Sequence, residues 1–337
     1  MSGRSNSKTT LDDLARLAGV SASTVSRALN DHKLISIATK QRVWALAREY
    51  NYAFKSTMPR APAGVGGSIS IVTPFNRGRP LPLSHPFFLE LLASIGEAAR
   101  ARDCDFTVSH IAAATLDDVR QATSTGPASG VIFLGQAALH HAFNELADTK
   151  ARFVVWGAHM PGQRYRSVGS DNVLGGRRAT SHIARGGRKR ILFLGGSDPE
   201  AGQRRRGYVE ALAAAGLDVD DRLMVQVEFE LESAETAVTQ LLDRGVAFDG
   251  VFATSDLMAL GAIKAIRRAG LSVPEDVSVV GYDDMLLARL STPTLTTIRQ
   301  DTAEAGRLLV ASLLDPKLFR GRGVLPTELI VRESCGS

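Results

Sequence analysis

The sequence predicts an α/β protein. An N-terminal three-helix headpiece with a helix–turn–helix pattern precedes a larger body of parallel sheets flanked by helices. Three observations carry this. Two short amphipathic segments with a tight turn between them occupy residues 10–30. A stretch rich in proline and glycine follows at residues 53–67, the composition of a linker. From Ser68 onward, apolar runs alternate with helical segments, the pattern of βαβ units and parallel sheets. A chain of 337 residues exceeds one comfortable hydrophobic core, so two or three domains are expected.

In the headpiece, Leu11, Leu14, Ala15 and Leu17 form an apolar stripe at helical spacing. Gly19 is placed to end that helix, where a C-cap needs a residue that tolerates positive φ. Ser21 or Ser23 can cap the next helix by accepting backbone N–H groups. Val25, Ala28 and Leu29 then face the first helix. The outward face keeps Ala22, Ser23, Thr24, Ser26 and Arg27, which are small, hydroxylated or cationic. Such a helix fits a DNA major groove and reaches phosphates and base edges. Ser36 is a further N-cap, and Val43, Leu46, Ala47 and Tyr50 give a third helix one apolar face. The three helices are expected to close a core around Leu11, Leu14, Val20, Val25, Leu29, Val43 and Leu46.

Charge singles out the same segment. Residues 1–60 hold ten Lys/Arg against four Asp/Glu, whereas the rest of the chain has a formal charge of −1 within a total of +5. That is the footprint of a nucleic-acid headpiece on a near-neutral body. Cys104 and Cys335 are far apart in sequence and are expected as free thiols in a reducing cytosol. The first residues carry no apolar h-region, which predicts no signal peptide. No run approaches the ~18 apolar residues of a membrane span, and a cytoplasmic location is expected. No Gly-rich phosphate loop, nucleophile elbow or metal-ligand cluster stands out, so neither an enzyme nor a cofactor or metal is expected. His140 and His141 are adjacent on a helix and do not face one ligand; a solvated pair is expected.

In the body, strands are expected at 68–73, 104–110, 130–134, 152–156, 167–170, 190–194, 250–253 and 277–282. Helices are expected near 87–101, 172–186, 202–215, 233–244, 257–269 and 301–314. Eight strands over ~270 residues suggest two doubly wound domains. Ligands of such sheets sit at the carboxyl ends of strands. Several strands here end in polar or glycine residues: Ser170-Asp171, Gly195-Gly196-Ser197, Thr254-Ser255-Asp256 and Tyr282-Asp283-Asp284.

These motifs together resemble the lactose-repressor (LacI/GalR) family of bacterial transcription regulators. The most specific part is Leu17-Ala-Gly-Val-Ser-x-Ser-Thr-Val-Ser-Arg-x-Leu-Asn30. His85-Pro-Phe-Phe88, Val168-Gly-Ser-Asp-Asn172, Arg204-x-x-Gly-Tyr208, Thr254-Ser-Asp-x-Met-Ala-Leu-Gly261 and Pro293-x-Leu-Thr-Thr-Ile-Arg-Gln300 follow in family order. The resemblance implies a homodimer bound to a pseudo-palindromic operator in double-stranded DNA. It also implies a periplasmic-binding-protein-like body of two lobes, with a small effector, a sugar by preference, in the cleft. A purine-like corepressor or a protein corepressor remains the alternative. The headpiece is expected at 1–57, the hinge at 58–67, an N-lobe at about 68–166 and 299–324, and a C-lobe at about 167–298 and 325–337.

The resemblance also assigns roles. Thr10, Ser21, Thr24, Ser26 and Asn30 match positions that contact the DNA backbone, and Ala22, Ser23 and Arg27 match base-reading positions. Asp171, Arg204 and Asp256 match ligand-contacting positions; a carboxylate accepts from vicinal hydroxyls and a guanidinium donates to oxygens. Phe229 matches a position that stacks on the ligand, while Trp156, Asp283 and Gln300 are further cleft candidates. One departure concerns the hinge helix, whose wedge leucine kinks the operator in relatives. Here Pro59 and Pro62 lie where that helix would run, so either the helix is short, with Met58 as a substitute wedge, or the operator is not kinked in the usual way.

Overall fold

The structure is a computed structural model that describes residues 10–29, 34–50, 67–76, 79–80, 84–125, 130–136, 138–315 and 323–336. Asn30 and the expected hinge around Met58, Pro59 and Pro62 lie outside the described residues. The chain divides into two compact units, residues 1–65 and 66–337.

The first unit holds α1 (Leu11–Ala18), α2 (Ala22–Leu29) and α3 (Ile37–Glu49). Local chemistry sets their ends. Thr10 and Asp13 form a reciprocal capping box: the Thr10 hydroxyl accepts from Asp13 N and the Asp13 carboxylate accepts from Thr10 N. Gly19 closes α1 at φ 66°. The Ser21 hydroxyl accepts from Thr24 N at 3.1 Å, and that of Ser36 from Thr39 N at 3.2 Å. Leu14, Ala15, Ala18, Val25, Ala28, Val43 and Ala47 form the core, with Leu11, Val20 and Leu46 partly buried around it. Leu17 and Tyr50 were expected on apolar faces but are exposed. Three short helices do not offer a core wide enough to reach them.

The second unit contains two sheets. The first uses β1 (Ser68–Asn76), β2 (Arg79–Pro80), β3 (Asp105–Ala113), β4 (Gly130–Leu134), β5 (Phe153–Trp156), β6 (Ser167–Ser170) and β12 (Gly323–Leu325). Its parallel order is β3-β1-β4-β5-β6-β12, with β2 a short antiparallel partner at the end of β1. The second sheet runs β8 (Met224–Gln226), β7 (Ile191–Gly195), β9 (Gly250–Ala253), β10 (Ser278–Asp283), β11 (Thr296–Gln300) and β13 (Thr327–Ile330). Only β13 is antiparallel there.

The helices linking these strands are α4 (Pro86–Arg100), α5 (Leu116–Thr125), α6 (His140–Ala147), α7 (Asn172–Arg185), α8 (Pro199–Ala214), α9 (Leu231–Asp243), α10 (Asp256–Arg268), α11 (Leu286–Leu290) and α12 (Thr302–Leu314). Each sheet is doubly wound. Leu91, Ile95, Leu309 and Val310 cover one face of the first sheet, and Val119, Phe143 and Leu146 cover the other. Met258, Ala262, Ile266 and Val238 cover one face of the second, and Ile183, Tyr208 and Leu212 the opposite one. This is the two-lobe arrangement of parallel sheets that the strand–helix alternation predicts.

The lobe boundaries differ in detail from the expected ones. Strand β6 pairs in parallel with β5, so residues 167–170 belong to the first lobe rather than the second. Strand β11 pairs with β10, which leaves Arg299 and Gln300 in the second lobe. The sequence shows that these segments are strands but not which sheet accepts them. The chain therefore passes between lobes after Ser170, after Gln300 and between Leu325 and Thr327. Among the described residues no helix is long and apolar enough to cross a membrane.

Candidate functional site

Two surfaces concern function. On α2 of the headpiece, Ser21, Ser23 and Arg27 are exposed, while Ala22, Thr24 and Ser26 are partly covered. Ala22 leans against the headpiece core, so its methyl is shared between packing and the outer face. The Ser21 hydroxyl lies 2.8 Å from both Ser23 Oγ and Thr24 Oγ1. These three hydroxyls hold each other and the start of α2 in one arrangement. Thr10 is exposed, but its side chain is engaged with Asp13. Arg27 closes the helix at the end where a cation complements the dipole.

The second surface is a cleft in the body, with about 750 Å³ of space including its mouth. That is the size range of small-molecule sites. The first lobe contributes Phe87 and Phe88 from α4, Gln136 after β4, Trp156 and Gly157 at the end of β5, and Ser170 at the end of β6. The second lobe contributes Asn172 from α7, Asp198, Glu200 and Arg204 from α8, Phe229 after β8, Asp283 at the end of β10 and Gln300 at the end of β11. All of these lie at carboxyl ends of strands or in the turns and helices that follow them, where open α/β sheets bind ligands.

Arg204 is the organising group on the second lobe. It is 6 % exposed. Its Nε donates to Asn172 Oδ1 at 2.8 Å and its Nη1 to the Thr254 carbonyl at 2.6 Å. The guanidinium lies 3.6 Å from the centre of the Tyr282 ring, a cation–π contact strengthened by burial. Two glycines allow α7 and α8 to approach closely enough for this. A Cβ on Gly176 would meet the Arg204 carbonyl at 2.2 Å, and one on Gly207 would meet the Val173 carbonyl at 2.1 Å. The motif Arg204-x-x-Gly-Tyr208 is thus one unit: cation, close approach, and a core aromatic.

Asp283 follows Tyr282 at the end of β10 on the same lobe. It adopts φ 117°, a conformation rare outside glycine. Its Oδ1 accepts from Gln300 Nε2 at 2.7 Å, and Gln300 Oε1 accepts from Ser170 Oγ at 2.6 Å. Its Oδ2 is buried and accepts no hydrogen bond among the described residues. Burial pushes its pKa up to about 7, against the opposing pull of Arg204 and Gln300. Burial likewise raises Glu200 to about 7, helped by neighbouring Asp198. Glu200 Oε1 accepts from Ala158 N of the first lobe at 3.1 Å.

The aromatic side is built from both lobes. Phe87 packs against Trp156 at 5.8 Å, and the His85 ring stacks on Phe229 at 4.2 Å with a 20° interplanar angle. Both ring nitrogens of His85 are buried without a partner among the described residues. That desolvation pushes its pKa down to about 4 and keeps the ring neutral. Gln136 donates to the Ala158 carbonyl and to Tyr165 Oη, and its Oε1 has no partner among the described residues.

Of the seven expected cleft residues, Trp156, Arg204, Phe229, Asp283 and Gln300 line the cleft; Asp171 and Asp256 do not. Asp171 is the N-cap of α7, accepting from Leu174 N at 2.9 Å. Asp256 is fully buried in the second lobe, where it accepts from Thr297 Oγ1 at 2.5 Å and Met285 N at 2.8 Å. It joins α10 to β11 and to the start of α11 and has no open face. The lining side chains that sequence reasoning missed are Phe87, Phe88, Gln136, Ser170, Asn172, Asp198 and Glu200. Ser170 ends β6, and Gln136, Asn172 and Asp198 lie two or three residues past the end of a strand, a signal that was available. Glu200 sits in the first turn of α8 and reads as an ordinary helix-start acid. Of the histidine pair, His141 is exposed as expected, whereas His140 is only partly exposed and its Nδ1 lies 3.0 Å from Tyr165 Oη.

Residues 10–53 match the sequence profile of bacterial regulatory proteins of the lacI family, and residues 180–335 match that of the periplasmic binding protein-like domain. The HTH-type transcriptional regulator CelR of Thermobifida fusca is 33% identical over 337 residues, covering 96% of this chain and 98% of the relative. The chain belongs to the LacI family of bacterial regulatory proteins. This LacI-family regulator also matches the structure of the CelR–cellobiose complex, with a TM-score of 0.68, 31% identity and coverage of 97% of this chain and 100% of that one. The lac repressor dimer bound to operator and the anti-inducer ONPF matches with a TM-score of 0.68 at 25% identity, over 98% and 99% of the two chains. Like these relatives, the LacI-family chain is a DNA-binding transcriptional regulator and not an enzyme.

Proposed function

We propose that this regulator is a repressor that acts as a homodimer on a pseudo-palindromic operator, and that a carbohydrate in the cleft controls its affinity for DNA. The observation that carries the reading is the cleft itself. A buried guanidinium and a buried carboxylate with an unpartnered oxygen face an aromatic wall built from both lobes. Hydroxyls satisfy the carboxylate, ring oxygens satisfy the guanidinium, and the apolar face of a pyranose covers Trp156 or Phe229. The similar structure of CelR is that of a complex with cellobiose, a carbohydrate. Control follows from the contacts that bridge the lobes: each is made or lost as the lobes move, so a ligand touching both sides biases the arrangement. For dimerisation, Leu89 on α4 and Leu286 and Leu290 on α11 are more than half exposed and offer apolar surface to bury.

On this reading the headpiece is residues 1–57 and the hinge 58–67. Thr10, Ser21, Thr24, Ser26 and Asn30 hold the DNA backbone, while Ala22, Ser23 and Arg27 read bases. A guanidinium fork on a guanine is worth about 1–3 kcal/mol of discrimination. The test is a gel-shift assay on a palindrome selected from random DNA by the purified protein. Tight binding and its release by a sugar are expected. Arg27→Ala should flatten sequence preference by roughly 10–100-fold while keeping salt-dependent non-specific binding. Arg27→Ala protein that still prefers the selected palindrome, or an operator complex indifferent to every sugar, contradicts the reading.

A further inference from the structure

We infer that Asp198 and Glu200 make the cleft an anion filter, so that the effector is a carbohydrate without phosphate or carboxylate. This rests on the carbohydrate reading and narrows it. Three carboxylates, Asp198, Glu200 and Asp283, line the cleft against a single cation among the described lining residues, Arg204. Two of that cation's donors are taken by Asn172 and Thr254 and its face lies over Tyr282, so only part of it is left for a ligand. A phosphorylated or acidic sugar would therefore bring its charge against a cluster of acidic side chains in a partly desolvated site, where repulsion is least screened.

The usual place for an anion is closed as well. The N-terminus of a long helix such as α8 attracts phosphate through its free N–H groups and dipole. Here Asp198 fills it from within, accepting from Ala201 N at 2.8 Å. Its neighbour Glu200 takes the Ala158 N–H of the facing lobe. Among the described residues that line the cleft, the buried polar atoms left without a partner are acceptors, Asp283 Oδ2 and Gln136 Oε1. A ligand that supplies hydroxyl or ammonium donors fits this inventory, and one that supplies more acceptors does not.

The experiment measures calorimetric binding of matched pairs to the full chain at physiological salt: cellobiose and its 6-phosphate, ribose and its 5-phosphate, trehalose and its 6-phosphate, adenosine and its 5′-monophosphate. Inorganic phosphate is a separate arm, read as a thermal shift. The phosphorylated member of any binding pair should be weaker by at least about 100-fold, or about 2.7 kcal/mol. The double substitution Asp198→Asn, Glu200→Gln keeps the cap and both acceptor positions and should shrink that gap by at least about tenfold. Circular dichroism checks that the variant is folded. Phosphate alone should not stabilise the wild type.

A phosphorylated sugar that binds as well as its parent overturns the filter and leaves carbohydrate control standing. So does a gap that persists in the double variant, or a saturable phosphate shift lost in Arg204→Ala. Binding confined to adenosine and rejection of its monophosphate overturns the carbohydrate reading while supporting the filter. If none of the pairs binds, both fall.

Discussion

Replacing Arg204 by alanine should abolish the effector response while the protein keeps its operator. The side chain is almost completely buried and spans the second-lobe wall of the cleft, from Asn172 to the Thr254 carbonyl over the Tyr282 ring. Hydrogen bonds to a charged group are worth about 1.5–3 kcal/mol each. Losing those that reach the ligand should weaken binding by roughly 100-fold or more. Part of the cost falls on the protein itself: Asp283 loses the cation that pulls its pKa down, and Asn172 Oδ1 loses its donor. Lysine should not restore the response. An ammonium cannot reproduce a planar fork lying flat on an aromatic ring with donors to two fixed acceptors. Calorimetry with the cognate sugar and a gel shift with the selected operator check this in one protein preparation. Loss of both activities would place Arg204 in the fold rather than in the effector site, and an unchanged sugar response would remove it from the site.

What the sequence revealed, and what it hid, divides by the range of the signal. The start and end of α1 were legible because the Thr10–Asp13 capping box and the positive φ of Gly19 are local chemistry. Arg204 and Gly207 were legible as a motif, but the reason for Gly207 was not. Its missing Cβ matters only because Val173, on another helix, comes within 2.1 Å of where it would be. Strand β6 was recognised as a strand and assigned to the wrong lobe, since periodicity carries no information on which sheet pairs with it. Asp256 and Asp283 show the limit best. Each is an aspartate just after a buried strand, and sequence alone treats them alike. In the fold, Asp256 is consumed by Thr297 and Met285 in the core, whereas Asp283 keeps one oxygen unpartnered at the cleft. Which of two similar carboxylates has an open face is decided by residues 17 or more positions away. The stack of His85 on Phe229 is likewise a contact between lobes, invisible to any local pattern.

Asp283→Asn should make the ligand-free body more stable at high pH and less able to respond. Burial lifts the Asp283 pKa from 3.8 to about 7. Between those values the native state holds a proton that the unfolded chain has released, so stability falls as pH rises through this window and levels off above it. Removing the titrating group should recover of order 1–4 kcal/mol at pH 8 and almost nothing near pH 4. Glu200, also raised to about 7, gives a slope of the same sign that the variant retains. His85 works in the other direction. With its pKa lowered from 6.5 to about 4, it costs stability as the pH drops through that interval. The comparison must therefore be between wild type and variant at each pH, where the His85 contribution is common to both. Thermal denaturation from pH 4 to pH 8 should show two curves that meet at the acid end, separate as the pH rises to about 7 and keep a constant gap above it. Parallel curves would mean that Asp283 is not buried as an acid with a raised pKa. The gain in stability should come with a loss of sugar affinity, because the amide replaces one acceptor oxygen by a donor while Gln300 Nε2 still needs the other. An unpartnered buried carboxylate is a cost the empty protein bears because a hydroxyl-bearing ligand relieves it. Closure on the ligand is favoured by that relief, which ties the weakest point of the unliganded cleft to the switch it operates.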